Sequence, residues 1–366
     1  MKLNILGTRG IPAQYGGYET FAEELATRLS TLGVEVTVTC PADSQRTDEE
    51  YRGVRLKYVK SARLGPFTQM FWDVKCFFRA RRGFDVVYML GVGASFAAWI
   101  PRLWGTKVWI NTDGIEWRRA KWSLAQRVYL LLAEALAVLF STRVIADSAA
   151  IETYLRASYR RLNKVSCIAY GAYPLSEMPD PAPLASWGLA PNGYYIVVCR
   201  LEPENHVLEI VEGFEKSAST LPLIILGDIQ EPTAYIRRLL KLRSPRIRFA
   251  GTVYDKKALA SLRSHARGYI HGHSVGGTNP SLLEAMACSN LVVAHSNPFN
   301  KEVLGSSGLF FETKADLAEI VAAIDSGKVD ADRLGQGAAE RIRSWYRWDQ
   351  VADAYLSLLK VSLTGE

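Results

Sequence analysis

The stretch His271-Gly272-His273-Ser274-Val275-Gly276-Gly277-Thr278-Asn279-Pro280-Ser281-Leu282-Leu283-Glu284-Ala285-Met286-Ala287 decides how this chain folds. The apolar run Gly268–His271 reads as a strand that ends where the stretch begins. A glycine-rich loop follows, and then a helix. Asn279 suits the N-cap and Pro280 the first helical position. Strand, glycine loop and helix in that order are one step of a parallel α/β sheet, with ligand-facing amides at the helix start. Outward from this step the same alternation continues. Strands are expected at Tyr195–Cys199, Leu223–Leu226, Ile247–Ala250, Leu291–Ala294 and Leu309–Phe311, with helices such as Val207–Ser217 between them. Upstream, the five prolines between Tyr173 and Asn192 predict a linker without helix or strand.

Before that linker the alternation appears a second time. Strands are expected at Leu3–Leu6, Val34–Thr39, Val54–Val59, Val86–Leu90, Val108–Asn111, Arg143–Ala146 and Lys164–Ala169. Several are continuous apolar runs, as strands covered on both faces require. Phe21, Leu25, Leu29 and Leu32 line one helical stripe, and Gly33 stops it. The length of 366 residues suits two domains. The expected organisation is a Rossmann-like domain over 1–175, a linker over 176–192, and a second Rossmann-like domain over 193–345. A helix over 346–366 is expected to pack back toward the first domain. Two doubly wound domains would face each other across a cleft.

Composition narrows the class. The chain is 48% hydrophobic and 22% charged, which is globular rather than disordered. Five cysteines without a CxxC pair argue against disulfides or zinc and for a reducing cytoplasm. Met1 leads straight into a strand, so no signal peptide is expected. The apolar run from Val128 to Phe140 is too short to span a bilayer and contains Glu134, so it is expected to be a buried helix. Residues 1–180 hold 24 Lys and Arg against 17 Asp and Glu, whereas the remainder is balanced. Arg52, Arg55, Lys57, Lys60, Arg63, Lys75, Arg79, Arg81 and Arg82 are concentrated in one stretch that also carries Phe67, Phe71, Trp72, Phe77 and Phe78. Basic and aromatic residues together suit an anionic membrane surface or a phosphate-bearing substrate, or else a solvated helix face. Nucleic acid is the weakest alternative, and no nucleic-acid partner is expected.

Several residues carry chemistry. Gly7 to Gly17 form a second glycine-rich loop after a strand, and Gly16 and Gly17 open its helix. The loop lacks the dinucleotide fingerprint, and no acid ends the second strand, which disfavours an oxidoreductase. Arg200 closes a strand, where it would neutralise a leaving phosphate. Glu202, Glu204, Asn205 and His206 follow it. The amides of Gly276 and Gly277 would hold a diphosphate, and Glu284, one turn into the helix and set among apolar neighbours, would bind sugar hydroxyls. Asp113 and Glu116 follow a strand in the first domain, where either could hold acceptor hydroxyls or stabilise an oxocarbenium-like centre. Asp147-Ser148 is a weaker instance. No metal-ligand spacing occurs. Asp330-Ala331-Asp332 reads as a helix cap, and His271 with His273 lacks a third ligand.

These motifs resemble the family-four retaining glycosyltransferases of GT-B fold. The wording of Gly7–Pro12, Tyr15–Thr20, Asp113–Trp122 and His271–Glu284 is similar to a bacterial rhamnosyltransferase branch that builds capsule, O-antigen and cell-wall polysaccharide. The resemblance implies a metal- and cofactor-free transferase moving a hexosyl group, L-rhamnose from dTDP-β-L-rhamnose, to a lipid-diphosphate-linked or oligosaccharide acceptor. It places the protein in the cytoplasm, at the inner membrane face. It also implies that Glu284 grips the nucleotide ribose and that Arg200 binds phosphate. Gly276 stands where the family has a further Glu, and Asn205 where it has a Lys. The amides of Gly276 to Thr278, or His273, are the available replacements, and Asp113 falls near the family's acceptor-side His. With Asn279 at the helix start, these residues make up the expected nucleotide-sugar site. Asp113, Glu116 and Arg200 are the expected catalytic residues. A UDP- or GDP-dependent hexosyltransferase, an epimerase or phosphorylase, and a catalytically inactive nucleotide-sugar binder are the alternatives.

Overall fold

The computed structural model describes residues 1–13, 16–42, 48–61, 64–159, 162–230 and 232–364. Gln14 and Tyr15 of the first glycine loop, and Arg63 of the basic stretch, lie outside the described residues. The chain divides into two units. The first comprises Met1–Arg118, Trp122–Tyr170 and Trp348–Glu366; the second comprises Arg119–Lys121 and Gly171–Arg347.

In the first unit the elements are β1 (Lys2–Leu6), α1 (Gly17–Thr31), β2 (Glu35–Pro41), β3 (Glu50–Tyr51), β4 (Val54–Val59), α2 (Thr68–Arg79), β5 (Val86–Leu90), α3 (Trp99–Arg102), β6 (Lys107–Asn111), α4 (Leu124–Phe140), β7 (Arg143–Ala146), α5 (Ala149–Tyr159) and β8 (Val165–Cys167). Among the described residues they form one sheet in the order β3-β4-β2-β1-β5-β6-β7-β8, parallel except for the β3–β4 pair. Residues 86–90 of β5 are buried throughout, which explains the continuous apolar run. α1 buries Phe21, Leu25 and Leu29 and ends before Gly33, whose φ of 84° is the left-handed conformation of a helix stop.

The second unit contains β9 (Tyr195–Val198), α6 (Val207–Lys216), β10 (Leu223–Leu226), α7 (Ala234–Leu240), β11 (Ile247–Gly251), α8 (Lys256–Ser264), β12 (Gly268–His271), α9 (Pro280–Ala287), β13 (Val292–His295), α10 (Pro298–Leu304), β14 (Leu309–Phe311), α11 (Lys314–Asp325) and α12 (Ala331–Trp345). Its parallel strands run β11-β10-β9-β12-β13-β14. The last helix, α13 (Trp348–Thr364), belongs to the first unit. There Tyr355 shares a 2.7 Å hydroxyl–hydroxyl hydrogen bond with Tyr88, and Arg28 donates to Asp349 at 3.1 Å.

Every strand expected from the apolar runs is present, with ends shifted by no more than two residues. Three features differ. The two-residue strand β3 is too short to leave an alternation pattern. The proline-rich segment is not an open linker. Ala182–Trp187 wind as a 3-10 helix with a proline in its first turn, Gly188 ends it at a φ of 62°, and Leu184 is buried. Asp180 and Pro179 supply carbonyls to Ser261 and His265, tying the segment to α8. Proline and turn chemistry exclude long elements but permit this short one.

The third difference is α4. The helix buries only the stripe Ala133, Glu134, Ala137 and Val138. Small residues there let it approach the 3-10 turn Ser95–Ala97 closely, so the larger leucines remain on its outer side. Leu124, Val128, Leu131, Leu132 and Leu139 are exposed, where a buried helix was expected. Among the described residues no helix is long and apolar enough to cross a membrane.

Candidate functional site

The glycine loop after β12 is built as its sequence demands. Asn279 caps α9 by accepting from the Ser281 amide at 2.9 Å, and Pro280 takes the first helical position. Gly276 has a φ of 140°, and a Cβ there would lie 2.8 Å from His273 Nε2. The loop therefore needs glycine at 276 both for its backbone angle and for the approach of the imidazole. Gly277 and Thr278 are buried beside it.

His273 ties this loop to the end of β9. Its Nδ1 lies 2.8 Å from Asn205 Oδ1, and Asn205 Nδ2 donates to the Arg200 carbonyl at 2.7 Å. The position where the family resemblance has a lysine is thus a positioning amide that joins Arg200 to His273. Burial, His271 and the charges of Arg119 and Arg200 hold His273 well below the usual histidine range. His273 is neutral at neutral pH and can hydrogen-bond without adding charge. His271 is pushed down to about 3 by burial, with His295 and Arg263 adding to the shift. His206 and His295 stack at 4.2 Å, so four of the chain's five histidines converge at this edge of the sheet.

Arg200 is 54% exposed and only loosely paired, 3.8 Å from Glu202, so its guanidinium is available to an anion. Burial pushes the Glu202 carboxyl up, but Arg200 and Lys121 outweigh it and hold it below the usual range. Glu284 is not enclosed by its apolar neighbours. Leu282, Leu283, Ala285 and Met286 turn inward, while the Glu284 side chain is 46% exposed. Helical periodicity separates it from the residues beside it in sequence. Its carboxylate pairs with Arg263 at 2.6 Å, and Arg263 also donates to Ser281.

Sequence reasoning missed Arg263 and the Arg119–Glu204 pair. Arg263 lies in the last turn of α8, and its partner lies 21 positions away. Arg119 sits 3.8 Å from Glu204, and both side chains are almost fully buried. Burial and neighbouring Glu202 raise the Glu204 carboxyl. No spacing rule signals either contact. Glu202 and Glu204 are recognisable only as acids following a strand.

In the first unit, Asp113 follows β6 with a φ of 52°, and its amide donates to Asn111 Oδ1 at 2.8 Å. Asn111 in turn donates to Tyr88, linking this turn to the Tyr88–Tyr355 pair. Glu116 accepts from Trp122 Nε1 at 3.1 Å. Asp147 is buried at the end of β7, and Ser148 caps α5. The first glycine loop is occupied by its own helix. Glu19 accepts from the Arg9 amide at 2.8 Å and Glu23 from the Ala13 amide at 2.6 Å. Those two amides are therefore engaged by carboxylates, while Gly16 and Gly17 open α1. Asp330 caps α12, as its sequence setting indicates. Among the described residues, no group of three or more His, Cys, Asp or Glu could hold a metal ion.

Residues 1–173 match a domain of unknown function, DUF1972, and residues 193–326 match the family described as glycosyl transferases group 1. No curated protein matches the chain. Solved structures match over nearly its whole length. Sucrose-phosphate synthase from Thermosynechococcus elongatus has a TM-score of 0.86 at 19% identity, covering 100% of both chains. Anabaena HepE in complex with UDP and glucose has a TM-score of 0.81 at 18% identity, covering 98% of this chain and 99% of that one. An α,α-trehalose-phosphate synthase (UDP-forming) from Burkholderia vietnamiensis has a TM-score of 0.74 at 12% identity, covering 98% and 100%. The chain thus has the two-domain α/β fold, with parallel sheets, of the GT-B glycosyltransferases, and it carries a group 1 glycosyltransferase domain in its second half.

Proposed function

We propose that the protein is a retaining, metal-independent glycosyltransferase that moves L-rhamnose from dTDP-β-L-rhamnose to a lipid-diphosphate-linked or oligosaccharide acceptor in cell-surface polysaccharide synthesis. The observation that supports the transferase reading is the arrangement of Arg200, His273 and the start of α9 at the strand-end edge of the second unit. An available Arg200 and the capped amino end of α9 supply positive potential there, and His273 supplies a neutral hydrogen-bonding imidazole. In this reading Arg200, Asn205, His273, Asn279, Glu284 and the amides of Gly276 to Thr278 hold the donor. The sugar C1–O bond to phosphate breaks while a C1–O bond to the acceptor forms on the same face. The leaving diphosphate takes the acceptor proton, and Arg200 stabilises the charge that develops on it. Asp113 and Glu116 of the first unit orient the acceptor hydroxyls. The basic first unit contacts the inner face of the cytoplasmic membrane, where a lipid-linked acceptor would lie. Gly16 and Gly17 open α1 of the first unit, where Glu19 and Glu23 already engage the loop amides nearby.

A second reading, hexosyl transfer from a UDP-sugar, is favoured by one observation: a neighbour of the same fold was solved with UDP and glucose. A thermal-shift panel of dTDP-, UDP- and GDP-sugars without added metal separates the two. Binding to the folded state alone raises the melting temperature. Selective stabilisation by dTDP-rhamnose and dTDP supports the rhamnosyl reading. Stabilisation by UDP- or GDP-sugars instead discards rhamnose, and no shift with any nucleotide removes the donor site.

A further inference from the structure

The first unit exposes large apolar side chains on three neighbouring helices. α4 leaves Leu124, Val128, Leu131, Leu132 and Leu139 exposed, with Leu124 at 79% and Leu132 at 58%. These positions share one face at helical spacing. Next to α4, α3 and its C-terminal end expose Trp99, Leu103 and Trp104. The two helices are joined where Arg102 donates to the Phe140 carbonyl at 2.8 Å, and both cover the same core cluster. α2 packs over that cluster too and exposes Phe71 and Phe78. The three helices therefore lie on one face of the sheet, with their apolar outer sides uncovered. Large apolar side chains left uncovered on neighbouring helices are a mark of an interaction surface.

Charge selects the partner. Lys75, Arg79, Arg81, Arg82, Arg102 and Lys107 are the cations of the stretch from residue 68 to 107 that holds α2 and α3, and its only acids are Asp73 and Asp85. Asp73 is buried, and burial raises its carboxyl to about 7, while Asp85 accepts from the Lys2 amide. The guanidinium of Arg81 stacks over Phe78 and Trp104, and that of Arg82 over Trp104. A cavity of about 450 Å³ is lined by Arg82, Trp104, Thr106 and Lys107 among others. Exposed leucines along α4, tryptophans on and after the adjoining α3 and arginines stacked on Phe78 and Trp104 combine the chemistries of a bilayer interface, from acyl chains to anionic headgroups.

We propose that this face is a monotopic membrane-binding surface, in which the outer side of α4 enters the acyl region of an anionic bilayer and the Arg–Trp border meets the headgroups. The proposal rests on the membrane contact of the preceding reading, but it assigns that contact to α4 and α3, beyond the basic stretch recognisable in the sequence. It does not depend on the identity of the donor.

The test is co-sedimentation of the full chain with vesicles of phosphatidylcholine alone or mixed with phosphatidylglycerol. Wild type is expected on the anionic vesicles, with binding reduced but not abolished by high salt, because screening weakens only the charged part. The pair Leu131→Asp and Leu132→Asp is expected to lower partitioning roughly tenfold or more. The pair Arg79→Gln and Arg82→Gln should remove mainly the salt-sensitive part. An unchanged thermal shift with nucleotide certifies the fold of each variant. Brominated lipid should quench wild-type tryptophan fluorescence, a readout that needs no variant. Three results overturn the proposal: no quenching, undiminished binding by the folded aspartate variant, or a lipid-free wild-type dimer that the same variant converts to monomer. Loss of nucleotide binding with vesicle binding retained would overturn the transferase reading alone.

Discussion

Replacing Glu284 by alanine removes the carboxylate nearest to Arg263. The Arg263 side chain is only 6% exposed, and the Glu284 oxygen lies 2.6 Å from it. Breaking a fully buried pair from one side costs about 3–5 kcal/mol, because a charge remains buried without its partner. Here Glu284 is 46% exposed, so water screens part of that cost, and Arg263 retains its bond to Ser281. The expected loss for Glu284→Ala is therefore about 2 kcal/mol, or roughly 4–8 °C in melting temperature for a unit of this size. Glu284→Gln keeps an acceptor facing the guanidinium and should lose about half as much. Arg263→Met should couple to Glu284→Ala by roughly 1–2 kcal/mol in a double-mutant cycle. Thermal unfolding followed by tryptophan fluorescence reads wild type and all four variants. A Glu284→Ala melting temperature within about 1 °C of wild type, with additive effects in the double variant, would refute the reasoning. A practical consequence follows. Loss of nucleotide binding in Glu284→Ala mixes donor contact with stability, so Glu284→Gln is the cleaner probe of the site.

Two further predictions come from the same edge of the sheet. Burial holds His271 at about 3, His295 at about 4 and His273 below its ordinary range, whereas in the unfolded chain each titrates near 6.5. The unfolded chain therefore binds more protons between about pH 4 and 6.5, so stability is fully present above that window and is lost as pH falls through it, by at most about 1.4 kcal/mol per pH unit for each buried histidine. Asp73, raised to about 7 by burial, opposes this with one proton. Urea midpoints at about pH 7.5 and pH 5 check the net slope, and equal midpoints would count against it. Separately, a Cβ at Gly272 would lie 2.0 Å from the Asn205 carbonyl oxygen, which is backbone and cannot swing away. Gly272→Ala should cost about 2 kcal/mol or more. A urea midpoint equal to wild type would show that the loop has more room than the structure gives it.

Much of the fold was legible because its signals are local. Continuous apolar runs such as Val86–Leu90 announce buried parallel strands, and Asn279-Pro280 announces a helix start, without knowledge of any distant residue. The capping role of Asp330 was recognisable for the same reason. The strand-end loops were legible as segments that carry an arginine, a histidine and a glycine pair. Their partners were not. Arg263 with Glu284, Asn205 with His273 and Arg119 with Glu204 are contacts between segments far apart in sequence, and no periodicity encodes them. The sequence of α4 marked a hydrophobic helix but could not say which side is covered. Close packing on Ala133 and Ala137 decided that, and it left the leucines outside. Sequence by itself determined where strands and helices begin and which loops carry charge, since backbone propensity and capping act within a few residues. Tertiary structure alone decided which charges meet, which carboxylates are buried and which apolar face stays uncovered, because those depend on three-dimensional proximity that chain order does not specify.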